Sequence, residues 1–255
     1  TKAAEEGLNL RKYRRRFRWC SRVLVLSREM QDFYGPARAT HCGQPQPPID
    51  YIYSVVDFER MRPLPPEQRR ALRRQLGIAE DVFAIGFIAT FNDKKNQLAY
   101  VRQAAPRLRE CFPAARTYFV GYFHPTTDAY ARRCVEAARA QQVEPWLHFV
   151  GFTKDVERWY QACDAVVIPT RKEGLARCMI EALACGTPVV SFDVASAREI
   201  LEAHRCGEVV RQGDYEELAR ALARLAQRPA LRAEYAAQGT ACARRLFSAA
   251  TCLEK

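Results

Sequence analysis

Between Phe83 and Val210 the chain repeats one pattern six times. The short apolar runs FAIGFIA, TYFVG, LHFV, DAVVIP, PVVSF and GEVV each precede an amphipathic stretch with helical spacing. Such alternation dictates a parallel sheet, because strands that run in one direction need crossovers and helices supply them. The runs are nearly continuous in apolar residues and lack a period of two, as expected of strands buried on both faces. The chain is therefore α/β, a parallel sheet covered by helices.

Helix signals are strongest near the end. Asp214 precedes Glu217 by three, and Leu218, Leu222 and Leu225 repeat on one face, a start resembling a capping box. Pro229 stops that helix, and another is expected over about residues 230–245. The helix after Lys95 places Leu98, Val101, Ala105 and Leu108 on one side, and Pro106 inside it predicts a kink or a break.

The first 56 residues behave differently. GLNLRKYRRRFRWCSRVLVLS reads as a basic helix followed by a strand over Val23 to Leu26. GPARATHCGQPQPPID, rich in Pro, Gly and polar residues, reads as a loop or linker. YIYSVVDFERMRP then leads into the α/β unit. The chain begins at Thr1 rather than Met, so a fragment of a longer protein is expected.

Composition removes several function classes. With 48% hydrophobic and 27% charged residues, the 255-residue chain is neither disordered nor membrane-spanning: no apolar run approaches the roughly 18 to 20 residues a spanning helix needs. The net charge of +11 comes without a nucleic-acid recognition motif, and no nucleic-acid partner is expected. Ten cysteines are scattered with no CxxC pair, and four histidines are equally dispersed, so no metal site is expected. Reduced thiols in a cytoplasm are the simplest account of the cysteines.

The segment EGLARCMIEALACGTPVV carries the chemistry. Two glutamates, Glu173 and Glu181, lie eight apart, a spacing that leaves them about 80° apart around a continuous helix and that two solvated surface acids would also satisfy. Context separates these readings. Cys178, Met179 and Leu183 form an apolar stripe that starts a helix at about Leu175, so Glu173 falls in the loop above a strand end, at the rim where open α/β sheets bind ligands. A helix beginning at Gly174 to Ala176 offers backbone N–H groups and a positive dipole end to a diphosphate. Gly174 lets the backbone approach closely. Glu181, one to two turns inside, reaches hydroxyls instead, and a carboxylate accepts well from two adjacent ribose hydroxyls.

IPTRKEGLARCMIEALACGTPVVSFDV resembles the donor-binding signature of family 4 glycosyltransferases, the group 1 enzymes of GT-B fold. IGFIATFNDKKNQ, GDYEELARALARL, VLVLSREM and YIYSVVDFERMRP resemble further stretches of that family, so the likeness runs from about Arg22 to Phe247. The resemblance implies a Rossmann-like C-terminal domain of a GT-B fold over residues 57–255, with residues 1–56 a remnant of the N-terminal, acceptor-side domain and its linker. It implies a retaining transferase that moves a sugar from a nucleotide-sugar donor to a glycan or lipid-linked acceptor, in polysaccharide, lipopolysaccharide or glycolipid assembly. It implies a bacterial, cytoplasmic setting, with neither cofactor nor metal.

By the same resemblance Glu173 meets sugar hydroxyls, Glu181 holds the nucleotide ribose and Lys95 binds phosphate, with Lys94 as the alternative by one register. Gly174, Leu175 and Ala176 match backbone positions near the diphosphate or sugar. Three departures stand out. Thr90 replaces the arginine that usually partners the lysine, Ser54-Val55 replaces Asn-Gly, and Ala195-Ser196 replaces Gly-Gly. Arg171, Lys172 or Arg177 is available to restore the charge lost at Thr90, and all three also read as ordinary surface cations. These departures motivate an alternative, a catalytically degenerate nucleotide-binding or interaction module. The basic and aromatic segment 11–18 reads either as a solvated helix or as a peripheral contact with the inner face of the cytoplasmic membrane.

Overall fold

The computed structural model describes residues 19–38, 47–194 and 196–253. The basic segment 11–18 lies outside the described residues, as does Ala195.

All six expected strands form. β3 (Phe83–Ile88), β4 (Ala115–Val120), β5 (Leu147–Gly151), β6 (Ala165–Ile168), β7 (Val189–Phe192) and β8 (Gly207–Val210) make one sheet in the order β5-β4-β3-β6-β7-β8. Every pairing is parallel. The strands wind outward from the centre in both directions, so the order reverses between β3 and β6. Diverging connections at such a point leave a crevice outside the carboxyl ends of the two strands.

Continuous apolar runs follow from burial on both faces. In β3, Phe83, Ile85 and Phe87 join one core layer with Tyr100, Phe119, Leu218 and Leu222. Ala84 and Ile88 join the other, with Trp159, Tyr160, Leu183 and Phe247. Alternation along the strand survives as a choice between two apolar layers, so polar residues have no face to occupy.

The helices after β3 show how the sequence handles Pro106. α3 (Gln97–Ala99) runs through a π-helical turn, Tyr100–Ala104, into α4 (Ala105–Cys111). Ala105 N–H donates to the Tyr100 carbonyl, five residues back. The wider turn lies immediately ahead of the proline, which occupies the first turn of α4, where its missing N–H costs little. The predicted break is thus a π-turn. α5 (Ala129–Ala140) follows β4, and α6 (Val156–Ala162) follows β5. Beyond β6 comes α7 (Arg177–Ala184). α8 (Tyr215–Gln227) starts where the capping pattern placed it, with Asp214 Oδ1 accepting from Glu217 N–H at 2.9 Å. α9 (Pro229–Phe247) is two residues longer than expected at its end, and α10 (Ala249–Leu253) closes the described chain.

A second, two-stranded parallel sheet pairs β1 (Val23–Val25) with β2 (Ile49–Tyr51). Between them α1 (Arg28–Arg38) extends helically over Gly35 and Pro36, where the sequence pointed to loop. This unit is tied to the larger sheet. The Glu199 carboxylate accepts from the leading backbone N–H groups of α1, Arg28 and Glu29, each at 3.3 Å, and from the Tyr53 hydroxyl. An acid at a helix N-terminus satisfies donors the helix cannot. Tyr53 also packs edge-on to Phe247 of α9 at 5.3 Å. α2 (Pro66–Gln75) enters the α/β unit, and Arg73 on it is buried against Asp164 at the amino end of β6.

Candidate functional site

Two loops flank the crevice at the switch point, residues 89–96 after β3 and 169–176 after β6. Backbone and side-chain hydrogen bonds stitch them together. Thr170 Oγ1 and Arg171 N–H both donate to the Lys94 carbonyl at 2.8 Å. Asn96 Nδ2 donates to the Pro169 carbonyl at 3.0 Å and to the Tyr215 hydroxyl at 2.6 Å. Asn96 is buried with φ of 71°, a left-handed conformation that asparagine tolerates better than most residues. Lys95 N–H bonds to Asn92 Oδ1 at 3.1 Å, and Gln97 Nε2 reaches the Thr90 carbonyl at 3.0 Å. The lysine loop is therefore fixed at both ends.

This frame brings Lys95 and Glu173 into direct contact: Lys95 Nζ donates to Glu173 Oε1. Thr170 Oγ1 lies 3.3 Å from the same oxygen. Both side chains are partly shielded, Lys95 at 29% exposure and Glu173 at 17%. Lys94 is exposed, and its carbonyl holds the opposite loop. Of the two adjacent lysines, Lys95 is the one that faces the crevice acid.

α7 begins at Arg177, two residues later than the expected start near Leu175. The reason is packing. Leu175 and Ala176 are drawn into the core with Met179 and Tyr160, which holds Ala176 extended. Only their backbone is available to a ligand. Ala176 occupies the N-cap without a side-chain acceptor, so no side chain competes for the first N–H groups of α7. A Cβ at Gly174 would lie 3.2 Å from Met30 Sδ, which places α1 against the same loop and makes it a wall of the crevice.

Glu181 lies on the first turns of α7 with its side chain 14% exposed. Oε2 accepts from the Tyr160 hydroxyl at 2.9 Å, and Oε1 from Arg177 Nη2 at 3.0 Å and Nε at 3.3 Å. Arg177 is therefore paired along its own helix, and it remains 62% exposed. Arg171 and Lys172 are exposed. Thr90 is exposed on the β3 loop, and its carbonyl rather than its hydroxyl carries the bonds that fix the loop. Ser54 is half-buried and Ser196 fully buried.

Cys178 lies near both acids. Burial pushes its thiol up to about 12; Lys95 opposes that shift, and Glu173 and Glu181 add to it. It is a neutral thiol at physiological pH and a poor nucleophile. Among the described residues no group of three His, Cys, Asp or Glu side chains is placed to hold a metal ion. None of their helices is long and apolar enough to cross a membrane.

Sequence reasoning missed Asn96, Thr170, Tyr160 and Tyr215. Thr170 had a signal, since a hydroxyl three residues before an acid in a loop suits local bonding. Tyr160 had none, because it looks like any core aromatic.

Comparison with known proteins identifies the family and the fold. Residues 82–228, more than half of the chain, match the family model described as glycosyl transferases group 1. EpsD of Bacillus subtilis is 29% identical over 198 residues, an alignment that takes in 77% of this chain and 50% of EpsD. HepE of Anabaena in complex with UDP-glucose superposes with a TM-score of 0.82 at 23% identity, over 99% of this chain and 68% of HepE. The C-terminal domain of the group 1 glycosyl transferase LpcC of Francisella tularensis superposes with a TM-score of 0.67 at 22% identity, over 76% of this chain and 99% of that domain. The chain spans about half the length, or less, of the curated relatives it matches.

Proposed function

The chain belongs to the group 1 glycosyltransferases, and on that premise we propose that it forms the donor-binding half of a retaining enzyme whose donor is a nucleotide sugar. Residues 57–255 are the donor domain, and residues 1–56 belong to the acceptor-side domain and linker. The acceptor is a glycan or lipid-linked sugar, in polysaccharide, lipopolysaccharide or glycolipid assembly at the cytoplasmic face of a bacterial membrane.

One observation carries this reading. Lys95 and Glu173 meet at the crevice between β3 and β6, the place where an open parallel sheet receives a ligand. Lys95 neutralises the diphosphate, helped by the backbone N–H groups that open α7 after Gly174, Leu175 and Ala176, with Arg177 and the Thr90 hydroxyl at the margin. Glu173 turns to the sugar hydroxyls, and Glu181 takes the ribose. As the glycosidic bond breaks, negative charge grows on the departing diphosphate, and fixed donors aimed at it lower the barrier. The departing phosphate takes the proton of the acceptor hydroxyl. The neutral Cys178 thiol takes no part.

The test is a set of thermal melts with UDP, GDP and ADP against the matching nucleosides. A ligand at a hundred times its Kd raises stability by about 2.7 kcal/mol. At least one diphosphate should raise the Tm while its nucleoside does not. Equal effects of both, or none from any diphosphate, would overturn the reading.

A further inference from the structure

The Glu181 carboxylate is held from two sides by unlike partners. Arg177, on Oε1, is a flexible and largely exposed side chain one turn away on the same helix. Tyr160, on Oε2, comes from a different helix, α6, and is 1% exposed. Its backbone is fixed as well, since Thr187 Oγ1 donates to the Tyr160 carbonyl at 2.6 Å. Tyr160 is thus a rigid donor anchored in the core beneath α7, whereas Arg177 is a long, largely exposed side chain with no such anchor.

A glutamate without such a partner explores many side-chain rotamers and must surrender them when a ligand binds. A carboxylate pinned through one oxygen keeps its plane and presents the other oxygen in a single direction. Packing alone requires only the ring, so phenylalanine would fill the core equally well. The hydroxyl is the informative part. Burial and the neighbouring Glu181 carboxylate keep the phenol protonated well beyond physiological pH, so it acts as a donor throughout.

We propose that Tyr160 is a positioning residue for Glu181, holding Oε2 so that Oε1 exchanges its contact with the exposed Arg177 for the hydroxyls of the nucleotide ribose. This rests on the assignment of Glu181 to the ribose.

The test measures Kd by calorimetry for UDP against 2′-deoxyUDP, and GDP against 2′-deoxyGDP, with the whole chain as wild type, Tyr160→Phe and Glu181→Ala. Wild type should prefer the ribonucleotide by about tenfold, as befits a hydrogen bond to a charged group. Glu181→Ala should abolish that preference. Tyr160→Phe should cut it several-fold and leave affinity for the deoxynucleotide within about twofold, which a purely structural tyrosine would not do. Full preference in Tyr160→Phe with none in Glu181→Ala overturns the positioning role and leaves the ribose assignment standing. Absence of preference in wild type, or its survival in Glu181→Ala, overturns both. Should Tyr160→Phe not fold, 4-fluorophenylalanine at position 160 fills the hydroxyl volume without a donor and is read in the same way.

Discussion

Lys95 and Glu173, 78 residues apart in the chain, close an ion pair across the crevice between β3 and β6. These two side chains, both proposed to meet the donor, are therefore satisfied by each other. On the proposed reading a diphosphate draws Lys95 away and so releases Glu173 for the sugar. Diphosphate binding and release of Glu173 are then one event.

Glu173→Gln tests that coupling. With its partner neutral, Lys95 is freer to meet phosphate, so UDP or GDP should bind as tightly as to wild type or up to about tenfold more tightly. Sugar transfer by an enzyme carrying the same change should fall. Calorimetry gives the first quantity, and weaker diphosphate binding by Glu173→Gln would refute the coupling.

At the opposite end of β6, Asp164 bonds Arg69 at 2.8 Å, Arg73 at 2.9 Å and the Ala84 N–H at 2.8 Å. Asp164→Asn leaves Arg73, buried, without its counter-charge, and should cost about 3 to 5 kcal/mol in urea unfolding at neutral pH.

The same carboxylate makes a pH prediction. Burial alone would raise its pKa, but the two guanidinium groups and the amide outweigh it and hold the group below the usual carboxylate range. A folded value below the unfolded one, about 3.9, means that its stabilisation is present above that pH and lost as the pH falls through the folded value. Wild type should therefore lose more stability than Asp164→Asn between about pH 5 and pH 2. Parallel loss in the two proteins would contradict this.

Gly121 follows β4 with φ of +152°, and a Cβ there would lie 2.2 Å from the Ala89 carbonyl oxygen and 3.1 Å from the Thr90 nitrogen. Gly121→Ala must push the loop that carries Lys95. It should destabilise the fold by about 1 to 3 kcal/mol and weaken diphosphate binding, both measurable on one purified variant.

Cys178 should resist alkylation. Burial pushes its thiol up to about 12, so little of it is thiolate at pH 8. Iodoacetamide followed by mass spectrometry should label the exposed Cys20 and Cys111 first. Early labelling of Cys178 would show that the acids do not surround it as described.

The sheet was legible because its strands are buried on both faces, which writes them as apolar blocks such as FAIGFIA. α2 was not, because PEQRRALRRQ buries only Leu72 and Arg73 and is otherwise a solvated basic surface. α1 ran on through Gly35 and Pro36, where local breakers argued for a loop. At the site, Glu173, Glu181 and Lys95 could be singled out as charged residues in a recognisable pattern. The bonds from Asn96 and Tyr160 join loops and helices far apart in sequence, and no local pattern encodes them. The start of α7 shifted because the core claimed Leu175 and Ala176, a tertiary demand that helix periodicity does not contain.

On the proposed reading the crevice beside Lys95 receives the diphosphate of a nucleotide sugar. The most direct measurement is calorimetric titration of wild type, Lys95→Ala and Lys94→Ala with UDP, GDP and ADP. The account predicts that at least one diphosphate binds wild type, that Lys95→Ala weakens it about tenfold or more, and that Lys94→Ala stays within about twofold. No binding to wild type, or equal losses in the two lysine variants, would contradict it.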